Sequence, residues 1–223
     1  MLQLVIFDMD GVIFAGKNFW LDLHRAMGTE RQAWQLWNGL SKKDYVRLSQ
    51  RTAEIWKGRS AEIFADFIGS RSLVTGIESV FDFVQQNGLR SAIISTGPYQ
   101  LAQRAQKLFN IDAIRANRLD IDAEGRFLGT VDVAVEEGNK GSVARDVMES
   151  LGVAPQRTAV IGDSEGDATM AQEVGLSIAY DSSSDVLDAA CEFTLRDGDL
   201  GKAVAILKRH HLEMRPELTG QSL

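Results

Sequence analysis

The chain has a single cysteine, Cys191, among 223 residues, with only three histidines and three prolines. One cysteine excludes an intramolecular disulfide and any multi-cysteine zinc site, and it fits a reducing compartment. Cys191 lies in "DAACEF" with no histidine near it in sequence, so it reads as a small buried hydrophobe rather than a nucleophile. His24, His210 and His211 have no carboxylate or cysteine partner at ligand spacing and are read as ordinary surface or core histidines. A basic excess is also lacking, since 31 Asp and Glu against 24 Lys and Arg give a formal net charge of −7. A nucleic-acid footprint needs a basic patch and usually a basic balance, so no nucleic-acid partner is expected. No stretch approaches the roughly 18 apolar residues that would span a bilayer. The opening "MLQLVIFDMDG" lacks the basic segment, apolar core and cleavage site of a secretory signal. The expectation is a cytoplasmic protein without a membrane partner, acting on small molecules.

What is present is an ordinary globular composition, 44% hydrophobic and 25% charged. Its length allows one sizeable core, or a core plus a small accessory domain. Four apolar runs, "LVIF" (4–7), "SAIIS" (91–95), "TAVIG" (158–162) and "LSIAY" (176–180), lack the polar alternation of a half-solvated strand. Such strands are covered on both faces, as in a parallel sheet flanked by helices. Between them, 76–88 spaces Ile77, Val80, Phe81 and Val84 as a helix and stops at Gly88. The segment 139–152 repeats the pattern and stops at Gly152, and 165–175 predicts a third helix ending at Gly175. Strand and helix in alternation predict an α/β fold, a doubly wound parallel sheet of Rossmann-like type. "NRLDIDAEGRFLGTVDV" (117–133) alternates around a glycine turn and predicts a hairpin.

Residues 14–75 break this rhythm, with no strand-like run and all four tryptophans, Trp20, Trp34, Trp37 and Trp56. They are read as a helical insert, a cap domain separate from a catalytic core of 1–13 and 76–223, with the tryptophans forming the insert's own small core. Ser41 and Asp44 are placed as a capping box opening a helix over 41–58. Arg47 and Arg51, one turn apart on it, are read as a solvated face. The last dozen residues read as a frayed tail.

The informative polar residues collect at strand ends: Asp8 and Asp10 after the first strand, Ser95, Thr96 and Gly97 at the second, Asp163 and Asp167 after the third. Ligands of open α/β sheets bind beyond these carboxyl ends. Four carboxylates in one crevice repel unless a cation joins them, and an oxygen-only donor set suits Mg2+. Ser95 offers a hydroxyl, while Thr96 and Gly97 offer backbone N–H groups at the start of a helix over 98–109, a favourable place for an anion. Lys140 brings a compact positive charge to the same phosphate. A metal-bound carboxylate can attack phosphorus through its other oxygen, which makes Asp8 the candidate nucleophile. Asp10, two residues on and on the same side of an extended chain, suits general acid and base work.

These motifs resemble the haloacid dehalogenase superfamily of phosphohydrolases. "DMDGV" (8–12) is similar to its first motif, "ISTG" (94–97) to its second, Lys140 to its third and "GDSEGD" (162–167) to its fourth. The insert after the first motif, "IWKG" (55–58) within it and "ANRLDIDAEGRFLGTV" (116–131) resemble the phosphoserine phosphatase branch, in particular its archaeal type. The resemblance implies Asp8 as nucleophile, Asp10 as acid/base and backbone-carbonyl ligand of Mg2+, and Asp163 as third protein ligand. Asp167 would orient a metal-bound water or bind the metal directly, and Ser95 and Lys140 would hold the phosphate. The implied substrate is a small phosphorylated metabolite, with phosphoserine leading. That branch reads Asp-Ser-Thr where Asp10, Gly11 and Val12 stand, Ser-Gly-Gly where Ser95, Thr96 and Gly97 stand, and Asn at Gly166. Its amine-binding glutamate aligns with Lys17, which would repel an ammonium. A phosphomutase and a non-catalytic binding protein on the same fold remain alternatives.

Overall fold

The computed structural model describes residues 1–39 and 44–213. Ser41 of the expected capping box and nearly all of the expected C-terminal tail fall outside those residues. A seven-stranded sheet organises the molecule in the order β4-β3-β2-β1-β5-β6-β7. The strands are β1 (Leu4–Phe7), β2 (Arg90–Pro98), β3 (Ala113–Ile121), β4 (Phe127–Asp132), β5 (Thr158–Gly162), β6 (Leu176–Tyr180) and β7 (Phe193–Leu195). All neighbours pair in parallel except β3 and β4, which form the hairpin. β1 lies between β2 and β5, with Leu4 opposite Arg90 on one side and Thr158 on the other. The chain order reverses there, which opens the crevice beyond Phe7.

Among its described residues the insert carries four helices: α1 (Phe19–Ala26), α2 (Glu30–Gly39), α3 (Tyr45–Glu54) and α4 (Glu62–Ser70). The core adds α5 (Ile77–Gln86), α6 (Tyr99–Phe109), α7 (Lys140–Ser150), α8 (Ala168–Ala171), α9 (Asp185–Ala190) and α10 (Ala203–Glu213). Gly88 follows α5 with φ 61° and Gly152 follows α7 with φ 64°, so both take the left-handed cap conformation expected of them. The segment 165–175 is shorter than its periodicity predicts, a 3-10 turn over Glu165–Asp167 and then only α8. Gly175 ends no helix there. Its N–H bonds the carbonyls of Pro155 and Thr158, and a Cβ would lie 2.7 Å from the Gln156 carbonyl.

The insert leaves and returns through two paired linkers: Ala15 N–H bonds the Ser72 carbonyl, and Val74 N–H bonds that of Ile13. Arg104 locks the return, its Nη1 donating to the Ile68 and Arg71 carbonyls at 2.7 Å each. The four tryptophans are joined by ring contacts within the insert, Trp20 to Trp56, Trp56 to His24, His24 to Trp37 and Trp37 to Trp34, but this core is not the insert's alone. Trp56 is fully buried, stacks on Trp20 at 6.4 Å and meets Phe127 of the hairpin at 5.7 Å. Phe64 reaches Phe127 as well, so burial of the insert's apolar face depends on the hairpin. Trp34 is 46% exposed and touches the cluster only at its edge, against Trp37 at 5.5 Å. Among the described residues no helix is long and apolar enough to cross a membrane.

Candidate active site

The carboxyl ends of β1, β2 and β5, with the start of α7, converge on one buried cluster. Asp8 leaves β1 with its N–H on the Ile161 carbonyl (3.0 Å), which continues the ladder to β5 by one residue. The chain then turns sharply: Ile13 and Phe14 N–H groups both bond the Met9 carbonyl, and Gly11 takes φ 82°. A Cβ on Gly11 would stand 2.2 Å from Asp163 Oδ2. The glycine after Asp10 therefore serves two needs, a positive φ and the close approach of a second carboxylate.

Lys140, 3% exposed as a side chain, bridges the cluster. Its Nζ lies 3.1 Å from Asp8 Oδ1 and 2.6 Å from Asp167 Oδ1. The other oxygen of Asp167 accepts from Asp163 N, Ser164 N and Ser164 Oγ at 2.9–3.0 Å. Asp167 Oδ2 is thus fully engaged and fixes the side chain, while Oδ1 pairs with Lys140. Asp8, Asp163 and Asp167 each offer an oxygen within 4.8 Å of the others, and all three are buried. The Asp10 carboxylate is not in that group. It points toward β2, where a Cβ on Gly97 would stand 2.7 Å from Asp10 Oδ2, and its Oδ1 is buried without a hydrogen-bond partner.

The electrostatics follow from burial. Burial, then the Asp167 charge, raises Asp8 to about 6 against the pull of Lys140. Burial and the charges of Asp8 and Asp167 push Asp163 up to about 8. Burial and then Asp8 raise Asp10 to about 7, opposed by Arg71 and Lys140. Burial alone would lower the Lys140 ammonium, yet Asp167 and Asp8 hold it well above its ordinary value. One lysine does not neutralise three clustered carboxylates, and a divalent cation with oxygen preference fits the donor set.

β2 supplies the anion side. Its register with β3 is broken between Ile94 and Pro98, so Ser95, Thr96 and Gly97 bulge from the ladder. Gly97 N–H donates to Ser95 Oγ at 3.0 Å, leaving the serine hydroxyl hydrogen for another acceptor. These residues belong to the end of β2, and α6 begins only at Tyr99. The Thr96 carbonyl accepts from Trp20 Nε1 (3.1 Å), Tyr45 Oη (3.4 Å) and Asn117 Nδ2 (3.1 Å).

Sequence reasoning missed these three donors, and it missed Arg71. The Arg71 guanidinium pairs with Asp22 at 3.2 Å, lies over the rings of Phe19 and Phe67 and draws Asp10 downward. Lys17 donates its Nζ to the Asp181 carbonyl in the loop after β6, and its charge acts on Asp163. Arg51 pairs with Glu54 at 3.1 Å with both side chains more than half exposed, and Arg47 is exposed.

Residues 2–175 match the haloacid dehalogenase-like hydrolases. The chain belongs to that family. It is 27% identical over 184 residues to a probable phosphoserine phosphatase of Schizosaccharomyces pombe, covering 80% of this chain and 61% of that protein. To a phosphoserine phosphatase of Archaeoglobus fulgidus it is 20% identical, covering 90% of this chain and 57% of that protein. The chain thus spans about three fifths of the length of these two curated relatives. A phosphoserine phosphatase of Halobacterium salinarum is 26% identical over 207 residues, covering 91% of this chain and 97% of that protein. The fold is also that of a crystallised apo phosphoserine phosphatase, with a TM-score of 0.77 at 21% identity over 93% of this chain and 98% of the other.

Proposed function

We propose that this chain is a Mg2+-dependent phosphomonoester hydrolase that works through an aspartyl-phosphate on Asp8. Its substrate is a small phosphorylated metabolite, with phosphoserine the leading candidate because three relatives carry that name. The observation that carries the reading is the buried trio of Asp8, Asp163 and Asp167, with Lys140 bridging Asp8 and Asp167 and with Asp10 beside it, its Oδ1 buried without a hydrogen-bond partner.

In this reading Asp8, Asp163 and the Asp10 backbone carbonyl hold the metal, and Asp167 joins them directly or through water. When bound, Mg2+ offsets the carboxylate repulsion and stabilises charge on the phosphoryl oxygens. The Ser95 hydroxyl, held by the Gly97 N–H, and Lys140 orient the phosphate. The free Asp8 oxygen attacks phosphorus while the bond to the ester oxygen breaks, and Asp10 gives its proton to the departing alkoxide. Asp10 then takes a proton from water, which attacks phosphorus and releases Asp8. A carboxyl that titrates near neutrality suits both halves of that cycle.

Residues 14–75 act as a cap on a core of 1–13 and 76–223, closing over the crevice and excluding bulk water. A cytoplasmic setting fits the single cysteine. One observation favours a second substrate reading. The Lys17 charge near Asp163 opposes an ammonium, and Glu54 is exposed and engaged with Arg51, so an amine-free phosphate ester is the alternative.

The test is phosphate release with Mg2+ across phosphoserine, sugar phosphates and phosphoglycolate. Fastest turnover of phosphoserine supports the leading substrate, and preference for an amine-free ester supports the alternative. Return of the phosphoryl group to a sugar would make the chain a mutase. No turnover across the panel would make it a binding protein.

A further inference from the structure

We propose that Asn117 is a positioning residue for phosphate binding, and that Trp20 and Tyr45 make its bond network the docking point for the closed cap. The inference rests on the phosphatase reading above. β2 and β3 are in register at Ile94 and Arg115, and again at Pro98 and Asn117. Three residues of β2 therefore lie opposite the single Ala116. The peptide groups of that bulge leave the ladder and must find partners elsewhere. Turned into the crevice, the Thr96 carbonyl would set an acceptor oxygen against an anionic phosphate.

Asn117 prevents this. It is 1% exposed, and its Nδ2 donates to the Thr96 carbonyl at 3.1 Å and to the Val135 carbonyl at 2.9 Å. Its Oδ1 accepts from Ala134 N and Val135 N, each at 2.9 Å. A single amide thus spaces the bulge that holds Ser95 and Gly97 from the segment leading into Lys140. Tyr45 Oη joins the network, 3.3 Å from Asn117 Nδ2. Trp20 comes from α1 and Tyr45 from the first turn of α3, so their bonds to Thr96 form only when the insert is seated on the core. Cap closure and the shape of the phosphate loop are one event.

The experiment uses the full chain with Mg2+ and inorganic phosphate as the probe, following affinity by calorimetry and stability by thermal unfolding. Asn117 holds its bonds deep in the interior, so the deciding variant is the double change Trp20→Phe with Tyr45→Phe, which keeps both rings and removes both cap donors. The expected result is a phosphate affinity about tenfold weaker and a raised KM on the best substrate, with a thermal midpoint within about 2 °C of wild type. Asn117→Asp, where folded, is expected to weaken phosphate further by turning an acceptor oxygen toward Thr96. Unchanged phosphate affinity in the folded double variant would overturn the inference while leaving the phosphatase reading intact. So would a large fall in the midpoint, since that would mark the two donors as merely structural. A wild-type chain that binds no phosphate would also overturn the inference, and turnover of the ester panel separately decides the phosphatase reading.

Discussion

The floor of the crevice and the roof over it are built by different physics. The floor is a set of buried charges, Asp8, Asp163, Asp167 and Lys140, delivered by strand ends and locked by short polar contacts. The roof is held by aromatic packing through Trp56, Phe64 and Phe127, by backbone bonds of Gly58, Arg59 and Ala61 to the hairpin, and by side-chain bonds from Gln50, Trp20 and Tyr45. A charge cluster tolerates little change, because each member sets the state of the others. In the function proposed above, the chemistry lies below the crevice and the selection above it.

The comparison breaks most sharply at Asp8. Asp8→Asn is expected to lower phosphate release by at least about a thousandfold. It should leave the metal-free chain as stable or more so, because one repelling charge is gone. On the roof the order is reversed: Trp56→Ala empties the site of a large buried ring and should cost about 3–5 kcal/mol in denaturant unfolding. Gly11→Ala joins the two regions, since its Cβ would strike Asp163 at a positive φ. About 1–3 kcal/mol of stability should go, together with Mg2+ affinity measured by calorimetry.

A pH series sharpens the floor. Folded Asp8 and Asp163 titrate near 6 and 8, above the ordinary value of 3.8. The folded chain therefore binds more protons than the unfolded one between about pH 4 and 8. Without Mg2+ this contribution falls as pH rises through that window. Thermal midpoints in chelator should drop from pH 5 to 8, Mg2+ should restore them, and Asp163→Asn should flatten the slope. On the roof the pH dependence runs the other way. His24 is fully buried against Trp56 and held at about 4 by desolvation. The unfolded chain takes its proton first, so the His24 contribution to stability declines as pH falls from about 6.5 to 4. His24→Gln should remove that decline relative to wild type.

The sequence disclosed the floor better than the roof. β1, β5 and β6 begin and end where their apolar runs do, since nothing but burial on both faces shapes them. Asp8, Asp163, Asp167 and Lys140 were legible because each directly follows a strand or opens a helix. Asn117 was hidden within a hairpin read only for its alternation. Its role depends on a register shift against β2, and on donors from Trp20 and Tyr45 that lie far away in sequence. Trp34 misled for the opposite reason, since a large aromatic suggests burial but the helix turns this one to solvent. Helix 165–175 was over-read because Gly175 is fixed by its contact with Gln156 and not by a helix end.

The most direct test of the account is an acid-quenched single turnover with a phosphate ester labelled in its phosphoryl group, in the presence of Mg2+. The account predicts a transient, hydroxylamine-sensitive label on the protein at Asp8, absent from Asp8→Asn. Release of phosphate at full rate by Asp8→Asn, with no label on either protein, would contradict it.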